Sequence, residues 1–222
     1  MTETTVIAQR RARRVLLLIG GIPVAMMLSA TALWWGVQGG YVDVLGQVGT
    51  ANHGSLVTPP RSVDGVTFRH EGVADTLWQD LPKKWRMVIV QRGSVCNAQC
   101  QSQLYQTRQI HIALGKDFNR VARVVLSDTS PADVAMAKGS DARAGVEAAP
   151  QLTTWLDLEH KGVTALTLSA PALDNLSPES KQAPNQWYLV DPAGWIMMRF
   201  ADDLNYKDVI SDLRFLLKNS GG

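Results

Sequence analysis

Residues 85–114 read WRMVIVQRGSVCNAQCQSQLYQTRQIHIAL, a strand, a turn and a helix in succession. Residues 85–90 are a short apolar run of the length and composition of a buried strand. Residues 98–114 set Leu104, Ile110 and Leu114 among polar side chains, as a helix against a core does. Between the two lie Cys96 and Cys100, spaced Cys-x3-Cys, at the end of the strand and the entry to the helix. Folds of the α/β class place their sites at strand ends. A helix N-terminus, with its free N–H groups and partial positive charge, favours a thiolate. Four residues of separation on a turn bring two Cα atoms to roughly 6 Å, within disulfide range. The pair can close a disulfide, and reduced it can clamp a soft ion such as Cu(I). A purely structural bridge is the competing reading. So short a loop closes little chain entropy, which favours a reactive pair.

The same alternation continues on both sides. Residues 66–68 suggest a short strand or hairpin arm, and residues 121–126 (VARVVL) a second buried strand. A helix is expected over 131–137, with Ser130 as N-cap and Pro131 at the first helical position. A short helix is expected over 150–158 and a strand over 163–168. Residues 187–190, the turn Asp191-Pro192-Ala193-Gly194 and residues 195–200 read as a β-hairpin. Residues 205–217 close the chain as an amphipathic helix with Val209, Ile210, Leu213, Leu216 and Leu217 on one side. The result is an α/β layer fold, a central sheet flanked by helices.

The N-terminal end has a different character. Residues 15–37 (VLLLIGGIPVAMMLSATALWWGV) carry no charge. A helix of that length, at about 1.5 Å per residue, crosses a hydrocarbon core of about 30 Å. Trp34 and Trp35 stand where an interfacial aromatic belt is expected, and Arg10, Arg11, Arg13 and Arg14 precede the run. The positive-inside rule keeps tail 1–14 in the cytoplasm and exports the rest of the chain, which places the protein in the inner membrane with a periplasmic domain. A cleavable signal peptide is the rival, since Ala30-Thr31-Ala32 resembles a cleavage site, but the apolar run exceeds the usual signal core. Residues 38–60, rich in Gly, Thr and Pro, read as a linker, and residues 61–219 as the folded exported domain.

Composition removes other classes. Hydrophobic residues are 45% and charged residues 19% of the 222, a globular balance. The net charge is +2; tail 1–14 holds four arginines against Glu3, or +3, so the remainder sums to −1. A near-neutral body lacks the basic face that a nucleic-acid binder needs. Two cysteines cannot build a four-thiolate zinc or iron–sulfur site.

With its anchor, the strand before Cys96 and Cys100, the helix after them, and the stretch Tyr188-Leu189-Val190-Asp191-Pro192-Ala193-Gly194, the chain resembles the Sco/SenC family. The resemblance implies a thioredoxin-like fold with one N-terminal transmembrane helix. It implies a role in assembling the copper site of cytochrome c oxidase, with the oxidase's copper-binding subunit or its assembly factors as partners. It assigns Cys96 and Cys100 as the catalytic thiols and as Cu(I) ligands, with Cys96 the more exposed, attacking sulfur. Residues 128–182 do not match. The family's third copper ligand, a histidine just before the hairpin, has no counterpart in residues 181–187 (KQAPNQW).

Other third ligands are limited. His111 shares a helical face with Cys100 but lies about 16 Å along the axis. His53 falls in the linker, His70 in a surface hairpin, and His160 at a solvated helix end. Met197 and Met198 alternate across a strand. Pro184 falls where thioredoxin folds carry a cis-proline, and with Trp187 it is a candidate substrate contact. Two further functions compete with oxidase assembly. One is a general thiol–disulfide oxidoreductase; the other is a non-catalytic accessory subunit of a respiratory membrane complex.

Overall fold

The computed structural model describes residues 3–38, 52–69, 75–137 and 151–220. Helix α1 (Glu3–Gln38) contains one span long and apolar enough to cross a membrane, Leu16–Gly36. Its leucines, methionines and both tryptophans are exposed, as a lipid-facing helix requires. Pro23 sits within it, which a membrane helix tolerates. Residues 39–51 of the expected linker, and His70, lie outside the described residues.

Residues 52–222 form a separate compact unit. Its strands are β1 (Ser55–Ser62), β2 (Thr67–Phe68), β3 (Thr76–Leu77), β4 (Trp85–Gln91), β5 (Val95–Cys96), β6 (Val121–Ser127), β7 (Ala135–Met136), β8 (Val163–Thr167), β9 (Gln186–Val190) and β10 (Trp195–Ala201). Its helices are α2 (Ala98–Ala113), α3 (Leu152–Glu159), α4 (Ala170–Leu176) and α5 (Tyr206–Asn219). The main sheet has the order β1-β10-β9-β4-β6-β8. Strands β4, β6 and β8 run parallel, and β9, β10 and β1 extend the sheet in antiparallel fashion. This is the mixed sheet of a thioredoxin-like fold, as expected.

Alternation along β4 explains why it reads as a continuous apolar run. Met87 and Ile89 enter one core with Leu104, Trp187, Phe200 and Leu213. Val88 enters the other with Phe68, Trp78, Leu173 and Tyr188. A central strand buried on both faces is apolar over its middle, here Met87–Val90, with the polar Arg86 and Gln91 confined to its ends.

Three elements depart from expectation. Strand β1 occupies part of the expected linker and carries Pro59 and Pro60, which cannot donate to a ladder. They are tolerated because β1 is a sheet edge, and its pairing with β10 is irregular between Leu56 and Arg61. The expected helix over 131–137 is only a 3-10 turn, Pro131–Asp133, followed by β7. Helix α4, capped by the Ser169 side chain on the Ala172 N–H, is an element that the sequence pattern does not announce. The β9–β10 register also shifts between Ile196 and Met198, and Met197 packs half-buried against the same core as Met198 rather than across the strand from it.

Candidate functional site

Helix α2 carries a buried stripe of Cys100, Gln103, Leu104, Thr107, Ile110 and His111. It starts at Asn97, whose backbone is extended and whose side-chain oxygen accepts the Cys100 N–H at 3.1 Å. Cys96 ends β5 and Cys100 lies in the first helical turn. The two form a disulfide with Cα atoms 5.3 Å apart. The residues expected to pair are therefore brought together.

The loop that delivers Cys96 is fixed from several sides. Gly93 takes φ +70°, which favours glycine. Its N–H donates to Asp128 at 2.7 Å. The buried Gln91 amide donates to the carbonyls of Arg92, Gly93 and Val95 at 2.9–3.2 Å. Arg92 reaches α4, donating to Asp174 at 2.8 Å and to Ser180. The hydrogen bond from Lys181, together with that from Arg92, holds the Asp174 carboxyl below the usual carboxylate range. On the other side β5 pairs with β7, and Gln101 donates to the carbonyls of both Cys96 and Ala137.

Cys96 is fully buried, whereas Cys100 keeps 6% exposure. This reverses the expectation that Cys96 is the more exposed sulfur. The β5–β7 ladder accounts for it, since it pairs Cys96 with Met136 at the edge of the core.

Pro184 is exposed, and the Gln103 amide donates to its carbonyl at 2.7 Å and to that of Gln186 at 3.3 Å. The loop before β9 is therefore tied to the cysteine helix. Among the described residues the cis peptide bond is Thr58–Pro59; the bond before Pro184 is not cis. Trp187, expected as a substrate contact, is fully buried and stacked on Phe200, with centroids 4.5 Å apart. It supports the site from behind rather than presenting a surface.

Gln99, Gln103 and Gln106 form a set that the sequence reading does not single out. Gln99 and Gln106 hydrogen-bond the side chain and carbonyl of Asp202, beyond β10, while Gln103 holds the entry to β9. Their spacing of four and three on α2 is the available signal.

The described histidines are committed elsewhere. His111 Nε2 faces the carbonyls of Phe118 and Val121 at 2.9 and 3.0 Å, so that nitrogen carries the proton. Burial lowers its pKa. His160, expected at a solvated end, is 2% exposed, with Nδ1 accepting from Arg123 at 3.5 Å. Burial, then the charges of Arg123 and Arg108, lower its pKa to about 4. His53 Nδ1 pairs with Asp212 at 3.0 Å, and this hydrogen bond raises its pKa. Among the described residues no three His, Cys, Asp or Glu side chains gather as metal ligands.

A two-cysteine turn between strand and helix, on a mixed sheet, defines a thioredoxin-fold protein; α1 adds a candidate membrane span. The chain belongs to the family described as "Transmembrane-like, thioredoxin-like, C-terminal domain", whose model matches residues 85–168 and 146–220. No curated protein matches the sequence. Among solved structures, the fold is similar to apo Sco1 from Thermus thermophilus (15% identity, TM-score 0.52), covering 74% of this chain and 96% of that one. It is similar to yeast Sco1 (15% identity, TM-score 0.52), with 72% and 97% covered. Copper-bound yeast Sco1 aligns at 13% identity and TM-score 0.49, with 72% and 96% covered.

Proposed function

We propose that this protein is an inner-membrane assembly factor for cytochrome c oxidase, acting on the copper-binding subunit through Cys96 and Cys100. The observation that carries the reading is the pairing of these cysteines in a turn between β5 and α2, at the strand-end position where such folds do chemistry. The sequence resemblance to the Sco/SenC family and the shared fold support it. The Arg10–Arg14 cluster supports a cytoplasmic N-terminus and a periplasmic domain. The anchor raises the local concentration toward a membrane-bound client.

In the reductant form of this function, the pair starts as two thiols. One thiolate attacks a client disulfide, forming a mixed disulfide and releasing one client thiol. The second cysteine attacks that mixed disulfide, releasing the other client thiol and closing Cys96–Cys100. Two electrons pass to the client, and a dithiol reductant resets the pair. In the carrier form, the reduced pair holds Cu(I) as cargo. Two adjacent sulfurs fit that soft ion, and no described histidine stands beside them.

The test mixes the reduced chain with the oxidised copper-binding subunit and tracks disulfides by mass spectrometry. The reading expects two client thiols per Cys96–Cys100 bridge formed. A single Cys→Ser variant traps the mixed disulfide and so identifies the attacking sulfur. No exchange with the client contradicts the reductant form.

The burial of Cys96 favours a second reading, a non-catalytic accessory subunit with a static bridge. That reading expects stoichiometric co-purification with an oxidase, unaffected by loss of both cysteines.

A further inference from the structure

Strands β5 and β7 form a two-residue parallel ladder that pairs Val95 with Ala135 and Cys96 with Met136. Residues paired in register in a parallel ladder project to the same face, and neighbouring strands lie about 4.8 Å apart. Burial agrees with this geometry. Val95 and Ala135 are both exposed; Cys96 is buried, and Met136 packs half-buried against the core that contains Cys96 and Cys100. The register is fixed by the Ala135 N–H on the Ser94 carbonyl at 2.8 Å and the Ala137 N–H on the Cys96 carbonyl at 3.0 Å. The Gln101 amide, bridging Cys96 and Ala137, locks the two strands at this point.

We propose that Met136 is the third Cu(I) ligand, completing a site of three sulfurs with the thiolates of Cys96 and Cys100. The inference rests on the carrier form of the function proposed above. A thioether is a soft donor suited to Cu(I), and the unbranched methionine side chain adapts to its surroundings. No described His, Asp or Glu joins the two cysteines to make a set of three. Two thiolates and Cu(I) leave one net negative charge, which the N-terminus of α2 favours. Met136 is half-buried and so meets solvent, which the fully buried Cys96 does not.

The chemistry balances. A dithiol reductant supplies two electrons and two protons to the Cys96–Cys100 bridge and is itself oxidised to a disulfide. Cu(I) then displaces two protons from the thiols to solvent. Met136 donates a lone pair without losing a proton, and the copper keeps its oxidation state.

The test uses the full chain in detergent, reduced with a phosphine without oxygen and titrated with Cu(I) against a chromophoric chelator. Met136→Leu conserves volume and keeps the packing. An unchanged urea-unfolding midpoint of the oxidised variant confirms that it is folded. The proposal expects Met136→Leu to weaken Cu(I) binding on the order of tenfold or more. It also expects X-ray absorption at copper to show a selenium neighbour in selenomethionine-labelled protein that disappears in Met136→Leu. Equal affinity in the variant, or no selenium neighbour in the parent, overturns it. Failure of the parent to bind Cu(I) overturns it together with the carrier form, while thiol exchange with the client is read independently by the mass-spectrometric assay.

Discussion

Lowering the pH through the range where His160 would ordinarily protonate should destabilise the folded domain by an amount the structure sets. His160 is 2% exposed, its Nδ1 accepts from the buried Arg123, and Trp155 meets its ring edge-on with centroids 4.3 Å apart. A proton on Nδ1 would remove the acceptor and place a second cation against the guanidinium. The imidazole titrates near 6.5 in the unfolded chain and at about 4 in the fold. Above 6.5 neither state binds the proton, so this residue contributes no pH dependence. Between 6.5 and about 4 the unfolded chain gains a proton that the native state refuses, so stability falls as pH falls. At 1.36 kcal/mol per pH unit the loss totals about 3 kcal/mol, and it levels off below the folded pKa. The assay is urea unfolding at pH 7 and pH 4 for the parent and for His160→Gln, which keeps a neutral acceptor. His111, also lowered by burial, is common to both proteins and cancels in the difference. The parent should lose about 3 kcal/mol more than the variant over this interval. Equal losses, or an NMR titration of the His160 ring near 6.5, would refute the reasoning.

Other expectations concern single contacts. A Cβ on Gly54 would run into the Phe200 ring and the end of Met198, so Gly54→Ala should cost about 1–3 kcal/mol in chemical denaturation. Gln103→Ala removes the donor to the Pro184 and Gln186 carbonyls and should cost about 1–3 kcal/mol, with faster amide exchange at the start of β9. His53 pairs with Asp212, whose other oxygen accepts the His53 and Gly54 N–H groups. Its folded pKa is raised, so its stabilisation is fully present below 6.5 and is lost as pH rises through the folded pKa. An NMR titration should place His53 above 6.5 in the parent and nearer 6.5 in Asp212→Asn.

Much of this structure is legible in residue order, and the reasons for the rest are local. The apolar run before the cysteines reads as a strand buried on both faces, and the turn Asp191-Pro192-Ala193-Gly194 announces the β9–β10 hairpin. The cysteine pairing agrees with their spacing. Strand β1 is hidden because its prolines argue against a ladder, and only its edge position reconciles them. His160 reads as solvated because Glu159 and Lys161 flank it; burial beneath Trp155 and beside Arg123 is a tertiary property. The polar members of the buried α2 stripe, Gln103, Thr107 and His111, mask its periodicity; Thr107 is satisfied by the Gln103 carbonyl one turn back, whereas Gln103 and His111 have partners outside the helix that sequence alone cannot supply. The pairing of Cys96 with Met136 depends on a ladder between segments 40 residues apart, for which no local signal exists.

Cys96 and Cys100 are proposed to act on an oxidase copper site. The most direct measurement is the copper content and activity of cytochrome c oxidase in membranes of cells carrying Cys96→Ser or Cys100→Ser, with the variant protein present at normal level. Either substitution should lower both quantities. Normal copper content and activity in both variants would contradict the proposal.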